Sequence, residues 1–333
     1  MSLRLAIIGC GAIADEMHLP TVHAHPGVTL SAVVDPDLER ARSVAARWEA
    51  KSFASTLDAV DTPLDAAIIC TPPGVRPQLI AAAFQRGLHV LAEKPLANSV
   101  SECHEIIEGA RSSGRVLAVS HMFRFYPVRA RLQHLLAEHG LSHVRAVRMH
   151  EGAPYAWSPR SGYTFKRSEV SGGVLVNAGI HSLDSLIHWF GDPSIESYED
   201  DAIGGLESNA KARLAFRDGI VADFRISRTC RLPSRFEITC ERGQISFTNR
   251  DTIEYSVERD GRRSLHRVES GMSNPAQCWL AQLDDFVGAI HSGVRPQIDG
   301  NEATRVVRLV EDLYGRKRTR PLPAVTPTPG QCW

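Results

Sequence analysis

The sequence predicts a two-domain α/β protein: a doubly wound parallel sheet over residues 1–120, then an α/β domain over 121–333 built on an open, mostly antiparallel sheet. Three observations predict it. Short, mostly apolar runs of strand length alternate with helix-spaced segments through the first third of the chain, the pattern of strands covered on both faces. After about residue 121, strand-like runs follow one another across short turns, among them Arg217-Asp218-Gly219, Arg242-Gly243 and Asp260-Gly261, which read as hairpins. With 333 residues, 43% hydrophobic and 23% charged, the chain is long enough for two cores.

In order, residues 3–8, 29–34, 66–70, 89–92 and 116–120 read as strands, with helices such as 38–48 and 78–86 between them. A helix is expected at 128–138. Strands are then expected at 143–151, 195–200, 208–216, 220–229, 236–240, 244–248, 252–258 and 264–268. Residues 174–190 read as a helix, 275–291 and 301–314 as two more, and the Pro-rich stretch 321–329 as an extended tail.

The bulk numbers exclude several classes of function. Lys plus Arg equals Asp plus Glu, at 38 each, so no net field calls for nucleic acid or a membrane surface as partner. No apolar run approaches the roughly 18 residues of a membrane span. Residues 5–8 are too short an apolar run for a signal peptide, so a cytoplasmic protein is expected. The seven cysteines are scattered and form no CxxC pair, which argues for free thiols. No HExxH or clustered ligand spacing occurs, and no metal is expected.

The chemistry begins at Gly9-Cys10-Gly11-Ala12-Ile13-Ala14, between the first strand and a helix. Gly9 permits the tight turn, Gly11 lets backbone approach a pyrophosphate, and Ala14 lets the helix pack close to the strand. The backbone around Ala12 and Ile13 would hold the pyrophosphate at the helix N-terminus. Asp35 ends the second strand, where a carboxylate binds the adenosine ribose hydroxyls and repels a 2′-phosphate, favouring NAD over NADP. Thr71-Pro72-Pro73-Gly74 turns the chain at the carboxyl end of the third expected strand, on the nicotinamide-ribose side. Glu93-Lys94-Pro95 does so at the next. On a helix over 174–190, Asn177, His181 and Asp184 would share one face.

Together these pieces resemble the glucose–fructose oxidoreductase/inositol dehydrogenase (Gfo/Idh/MocA) family over nearly the whole chain. The resemblance rests on the Gly-rich turn, Thr71-Pro72-Pro73, Glu93-Lys94-Pro95, Arg124-Phe125-Tyr126-Pro127, the run from Gly172-Gly173 through Gly179-Ile180-His181 to Asp184, and Asp299-Gly300 with Glu302-Ala303. It implies a Rossmann domain and an open-sheet domain whose sheet face makes a homodimer or homotetramer, with the last helix returning to the first domain. It also implies that Lys94 contacts the reacting hydroxyl, that the Lys94–Pro95 bond is cis, that His181 is the general acid/base and that Asp184 supports the helix or the histidine. Two positions depart from the family pattern. Asn177 stands where many members have Asp, so it can orient substrate but cannot stabilise an imidazolium by charge. Arg76 stands where histidine is common.

The implied chemistry is interconversion of a secondary alcohol and a ketone on a sugar, sugar acid, nucleotide sugar or cyclitol. A histidine of ordinary pKa, about 6.5, suits the proton transfer near neutrality. A lysine ammonium stabilises developing alkoxide charge. The segment 152–170 carries Tyr155, Trp157, Arg160, Tyr163, Lys166 and Arg167. Its aromatic residues could stack on a sugar face and its cations could meet phosphate or carboxylate. Arg124, with Tyr155, Trp157, Tyr163, Asn177, His181 and Lys94, completes the expected substrate set. Two other readings stay open: an NAD-dependent glycosidase that oxidises transiently, and a non-catalytic NAD-binding regulator.

Overall fold

The computed structural model describes residues 2–141, 143–155 and 162–317. The chain divides into two compact units: Met1–Phe125 with Pro159–Val170 and Asn274–Val307, and the remainder.

The first unit is built on six parallel strands: β1 (Leu3–Ile8), β2 (Val28–Val34), β3 (Ser52–Ala54), β4 (Ala66–Ile69), β5 (His89–Glu93) and β6 (Leu117–Ser120). Their order is β3-β2-β1-β4-β5-β6. The direction of winding reverses between β1 and β4, the place where Rossmann sheets bind dinucleotides. Helices α1 (Leu19–Ala24), α2 (Leu38–Arg47), α3 (Arg76–Gln85) and α4 (Val100–Ser113) connect the strands. Strands β4 and β6 are buried at every position, as their unbroken apolar runs predict. Helix α4 opens with a reciprocal cap between Ser99 and Glu102 and closes at Gly114, φ +64°. Strand β3 was not expected. It is a three-residue edge strand, Ser-Phe-Ala, too short to show a period.

The second unit holds an eight-stranded mixed sheet. Its strands are β7 (Val144–Gly152), β8 (Ser194–Asp200), β9 (Asn209–Ala215), β10 (Val221–Ser227), β11 (Leu232–Cys240), β12 (Gly243–Thr248), β13 (Glu254–Arg259) and β14 (Arg262–Arg267), in the order β14-β13-β12-β11-β7-β10-β9-β8. Only β7 and β10 pair in parallel; the other neighbours are antiparallel, as the hairpin signals predict. The helix expected at 128–138 is two short ones, α5 (Pro127–Ala130) and α6 (Leu132–Glu138), parted at Arg131 with ψ 9°. Tertiary bonds hold the first piece apart: Val128 N–H donates to Thr252 O at 2.9 Å, and the buried Arg129 donates to Ser185 Oγ at 2.8 Å. Helix α7 (Ile180–Phe190) is buried along most of its length, and Trp189 meets Phe236 edge-on at 5.1 Å.

Two helices close the described chain. Helix α8 (Pro275–Ser292), capped by Asn274 and Gln277, adds Leu283, Phe286 and Val287 to the core that contains Leu5, Ile7, Leu19 and Val22. Helix α9 (Gly300–Gly315) has its first half in the first unit and its second half in the second. Among the described residues no helix is long and apolar enough to cross a membrane, and no group of three or more His, Cys, Asp or Glu side chains could hold a metal ion.

Candidate functional site

The carboxyl edge of the parallel sheet gathers most of the residues singled out in the sequence. Gly9 has φ +94°, and a Cβ there would stand 3.0 Å from both Cys70 C and Thr71 Cγ2, so only glycine fits. Gly11 faces open space: a Cβ would meet nothing within 4 Å. Helical structure starts at Ala12 and Ile13, and Ala14 is fully buried. Asp35, 3% exposed, does more than the sequence suggests. One carboxylate oxygen accepts Cys10 N–H at 2.8 Å, locking the Gly-rich turn, and the other accepts Asp37 N–H at 2.9 Å. Arg40 pairs with Asp35 at 3.3 Å and with Asp37 at 2.8 Å, placing a half-exposed guanidinium beside the Asp35 carboxylate.

Thr71 stands two residues beyond the end of β4, and its buried Oγ1 has no hydrogen-bond partner among the described residues. Glu93 and Lys94 follow at the end of β5. Glu93 is buried; Oε1 pairs with His18 Nε2 at 2.8 Å and Oε2 accepts Lys94 N–H at 3.1 Å. Burial disfavours both charges of this pair. Cys70 and Glu93 outweigh it at His18, lifting the imidazole to about 10. His18, Lys94 and Arg76 outweigh it at Glu93, holding the carboxyl below its usual range. Both directions favour an imidazolium facing a carboxylate. The Trp279 ring lies edge-on to His18 at 4.9 Å. Lys94 is half-buried, and the Lys94–Pro95 bond is cis.

Arg76, the departure from the family pattern, is 2% exposed and ties these strand ends together. Its guanidinium donates to Glu93 O at 2.6 Å and also to the carbonyls of Thr71 and Pro95. Pro72 and Pro73 form the turn into α3, and residues 162–170 lie on it: Gly74 N–H donates to Glu169 O at 3.2 Å, and Asn98 Nδ2 approaches the same oxygen at 3.4 Å. Tyr163 is half-buried here, close enough to Arg76 to act on its charge. Lys166 and Arg167 are exposed, Lys166 pairing with Glu169 at 3.2 Å. Arg124 is 2% exposed and paired with Glu302 at 3.0 Å, so it braces its own unit instead of presenting a free guanidinium.

The second unit holds Tyr155, Asn177 and His181. Asn177 lies in a π-helical turn, Leu175–Gly179, that leads into α7 and thus to His181; both side chains are half-buried. Wide turns of this kind concentrate at functional positions. Asp184, expected to support the helix or the histidine, is 2% exposed and lies near the buried Arg129. Beneath α7, Glu151 accepts Asn249 Nδ2 at 2.5 Å and Ser182 Oγ at 3.5 Å. Burial pushes Glu151 up and Arg129 down to about 10. Tyr155 lies under the Arg228 guanidinium at 5.0 Å. Trp157 and Arg160 fall outside the described residues.

The open space beside Gly11, the φ of Gly9 and the orphaned Thr71 hydroxyl, all at the switch point of a Rossmann sheet, fit a bound dinucleotide. Sequence reading missed His18 and Arg40. Each acts through a partner distant in sequence or one turn away, and only the acidic residue after an apolar strand leaves a local signal.

Comparison with known proteins agrees with this geometry. Residues 3–121 match the family model described as "Oxidoreductase family, NAD-binding Rossmann fold", and residues 130–246 match the GFO/IDH/MocA C-terminal domain. The chain is 26% identical to a 1,5-anhydro-D-fructose reductase of Ensifer adhaerens, over 90% of this chain and 91% of that protein. Its fold resembles a 3-ketoreductase from Actinomadura kijaniata solved with NADP and TDP-benzene, with a TM-score of 0.85 at 20% identity over 96% of this chain and 98% of the other. It also resembles a levoglucosan dehydrogenase solved with NADH and levoglucosan, with a TM-score of 0.82 at 19% identity over 94% and 96%. With both domain models matched in order and relatives aligned along nearly the full chain, the protein belongs to the Gfo/Idh/MocA family of oxidoreductases.

Proposed function

We propose that the chain is an NAD-dependent oxidoreductase interconverting a secondary alcohol and a ketone on a sugar, sugar acid, nucleotide sugar or cyclitol, with Lys94 and His181 at the reacting hydroxyl. The observation that carries this reading is the end of β5, where the buried His18–Glu93 pair and Arg76 fix the backbone on either side of a half-buried Lys94, next to the orphaned Thr71 hydroxyl. The names of the relatives support a carbohydrate substrate: one is a reductase of 1,5-anhydro-D-fructose, and one neighbour was solved with levoglucosan.

The residues divide the work as follows. Bound NAD supplies the hydride acceptor. The Gly9–Ile13 backbone and Asp35 hold its pyrophosphate and adenosine ribose, while Thr71, Pro72 and Pro73 line the nicotinamide-ribose side. Lys94 Nζ stabilises the negative charge that develops on the substrate oxygen. His181 takes the hydroxyl proton in oxidation and returns it in reduction. Asn177 orients substrate by hydrogen bonding without adding charge beside His181. Tyr155 and Tyr163 offer faces for the sugar. Asp35 gives the preference for NAD; Arg40, already paired with Asp35 and Asp37, is the group a 2′-phosphate would have to recruit. The open sheet of the second unit carries charged rungs, such as Arg148–Glu237 at 3.0 Å and Lys211–Glu199 at 3.2 Å, and is the face through which we expect a homodimer or homotetramer.

The test is an NADH-absorbance screen against neutral sugars, sugar acids, sugar phosphates and nucleotide sugars. Net NADH formation is expected with at least one class. Lys94→Ala and His181→Ala should each lower kcat by about 10²–10⁴-fold while NADH still binds. Near-parent turnover in either variant sinks the assignment.

A further inference from the structure

Gly172 and Gly173 have a specific steric cause. A Cβ on Gly172 would lie 1.8 Å from the Tyr314 hydroxyl, and one on Gly173 would lie 2.0 Å from Glu207 O. Two groups from distant parts of the sequence thus fill the space beside the start of the helix that carries Asn177 and His181. Glu207 is 3% exposed. One of its carboxylate oxygens accepts Gly173 N–H at 2.8 Å, the other accepts Leu175 N–H at 2.9 Å, and its backbone carbonyl accepts Val174 N–H at 3.0 Å. The first three N–H groups of this helical stretch, which have no partner within a helix, therefore all end on one residue. A carboxylate there also complements the helix dipole.

Tyr314, near the end of α9, completes the arrangement. Its hydroxyl donates to Glu207 Oε1 at 2.9 Å, and its ring stands edge-on to the buried Tyr198 at 6.0 Å. Burial and the adjacent Glu207 push the phenol far above its usual range, so it stays a donor. Lys317, beyond the helix end, pairs with Asp200 at 2.5 Å and donates to Ala202 O at 2.7 Å. The π turn carrying Asn177 follows directly, with Asn177 N–H bonded to Gly173 O at 3.0 Å.

We propose that Glu207 and Tyr314 are positioning residues for the reaction: Glu207 fixes the rotation of the first turn at Gly172-Gly173, Tyr314 fixes Glu207, and the two thereby set where Asn177 and His181 stand. This rests on the reading of His181 as the acid/base. Two oxygens bound to the N–H groups of residues 173 and 175 leave that turn one phase. A slip of one residue would rotate every following side chain by about 100°.

The test uses the full chain and the substitutions Tyr314→Phe, which removes one oxygen, and Glu207→Gln, which keeps the shape and removes an acceptor. Hydrogen exchange read by mass spectrometry needs no substrate. Exchange across residues 172–181 should rise at least ten-fold in both variants, with β9–β12 at parent rates and NADH affinity within two-fold. With the sugar found in the absorbance screen, kcat should fall about ten-fold in Tyr314→Phe and up to about 100-fold in Glu207→Gln, since an ångström of misplacement costs about that much. Parent-like exchange at 172–181, or exchange rising throughout the second unit, overturns the proposal. So does parent-like kcat in both variants where His181→Ala is inactive, which leaves the acid/base reading standing. An active His181→Ala variant removes that reading instead, and the exchange data still decide whether the two residues anchor the helix.

Discussion

The buried pair of His18 and Glu93 offers the sharpest perturbation. His18→Gln keeps a hydrogen-bonding group near Glu93 but removes the charge. The two side chains are 3% and 7% exposed, so Glu93 would be left as a buried carboxylate facing a neutral amide. Removing one partner of such a pair costs about 3–5 kcal/mol, most of it the uncompensated charge. The double variant His18→Gln/Glu93→Gln should recover most of that loss, because two amides can bond to each other without a buried charge. The pH dependence has a definite sign. His18 is raised from 6.5 to about 10, so its contribution is complete below pH 6.5 and is lost as pH climbs toward 10. Glu93 is lowered from 4.5, so its contribution is complete above that value and is lost in acid. The stability gap between parent and His18→Gln should therefore be widest between about pH 4.5 and 6.5 and should shrink by pH 10. Urea unfolding at pH 5.5, 7.5 and 9.5, followed by tryptophan fluorescence with Trp279 beside His18, measures it. A loss under 1 kcal/mol at pH 5.5, a gap that widens with pH, or a double variant no more stable than the single one would refute the ion-pair assignment.

Three further outcomes follow from the geometry. Gly173→Ala places a Cβ against Glu207 backbone and breaks the cap, so unfolding stability should drop by about 3 kcal/mol or more; a melting temperature within 2 °C of the parent counts against the clash. Asp35→Ser removes the carboxylate that holds Arg40 and should raise the NADP-to-NAD ratio of kcat/KM by at least ten-fold. An unchanged ratio means that Asp35 does not set cofactor choice. Asn177→Asp places a carboxylate one turn before His181, which favours the imidazolium, and the acid limb of kcat/KM for oxidation should move to higher pH. A stationary limb takes His181 out of the base role.

Local constraints were legible in the sequence and long-range ones were not. Gly9 and Gly11 could be read because a tight turn between a strand and a helix restricts backbone within a few residues, and Asp35 because it ends an apolar run. The parallel and antiparallel sheets could be read because burial on two faces and on one face leave different periods. Nothing within ten residues of Arg76 announces that its guanidinium reaches the carbonyls of Glu93 and Pro95. Residues 128–138 have a helical pattern, but Thr252 and Ser185 split it from outside. Asp184 falls at helical spacing from His181, yet the neighbouring Arg129 marks it as an interior residue. Arg124 reads as a substrate contact until its bond to Glu302 is seen.

One device recurs at both helices assigned a functional part. Each has a π turn near its start, Ala14–His18 after the Gly-rich turn and Leu175–Gly179 after Gly172-Gly173. Such turns are rare because the extra residue widens the helix at the expense of its normal bonds. In each case a buried glutamate from another segment binds the turn or the residues leading into it: Glu93 at His18, the last residue of the first π turn, and Glu207 at Gly173 and Leu175. A close-packed glycine backs each site, Gly9 against Cys70 and Thr71, and Gly179 against Leu175 and Phe224. If either turn relaxed to a regular helix, the inserted residue would be absorbed and the side chains beyond it would swing by about 100°. At the first turn that would unseat His18 from Glu93, and with it the bond from Lys94 N–H. At the second it would turn His181 off its face. On the proposed reading of Lys94 and His181, the two glutamates serve the chemistry at one remove, by holding wide turns that local helix propensity alone would not keep.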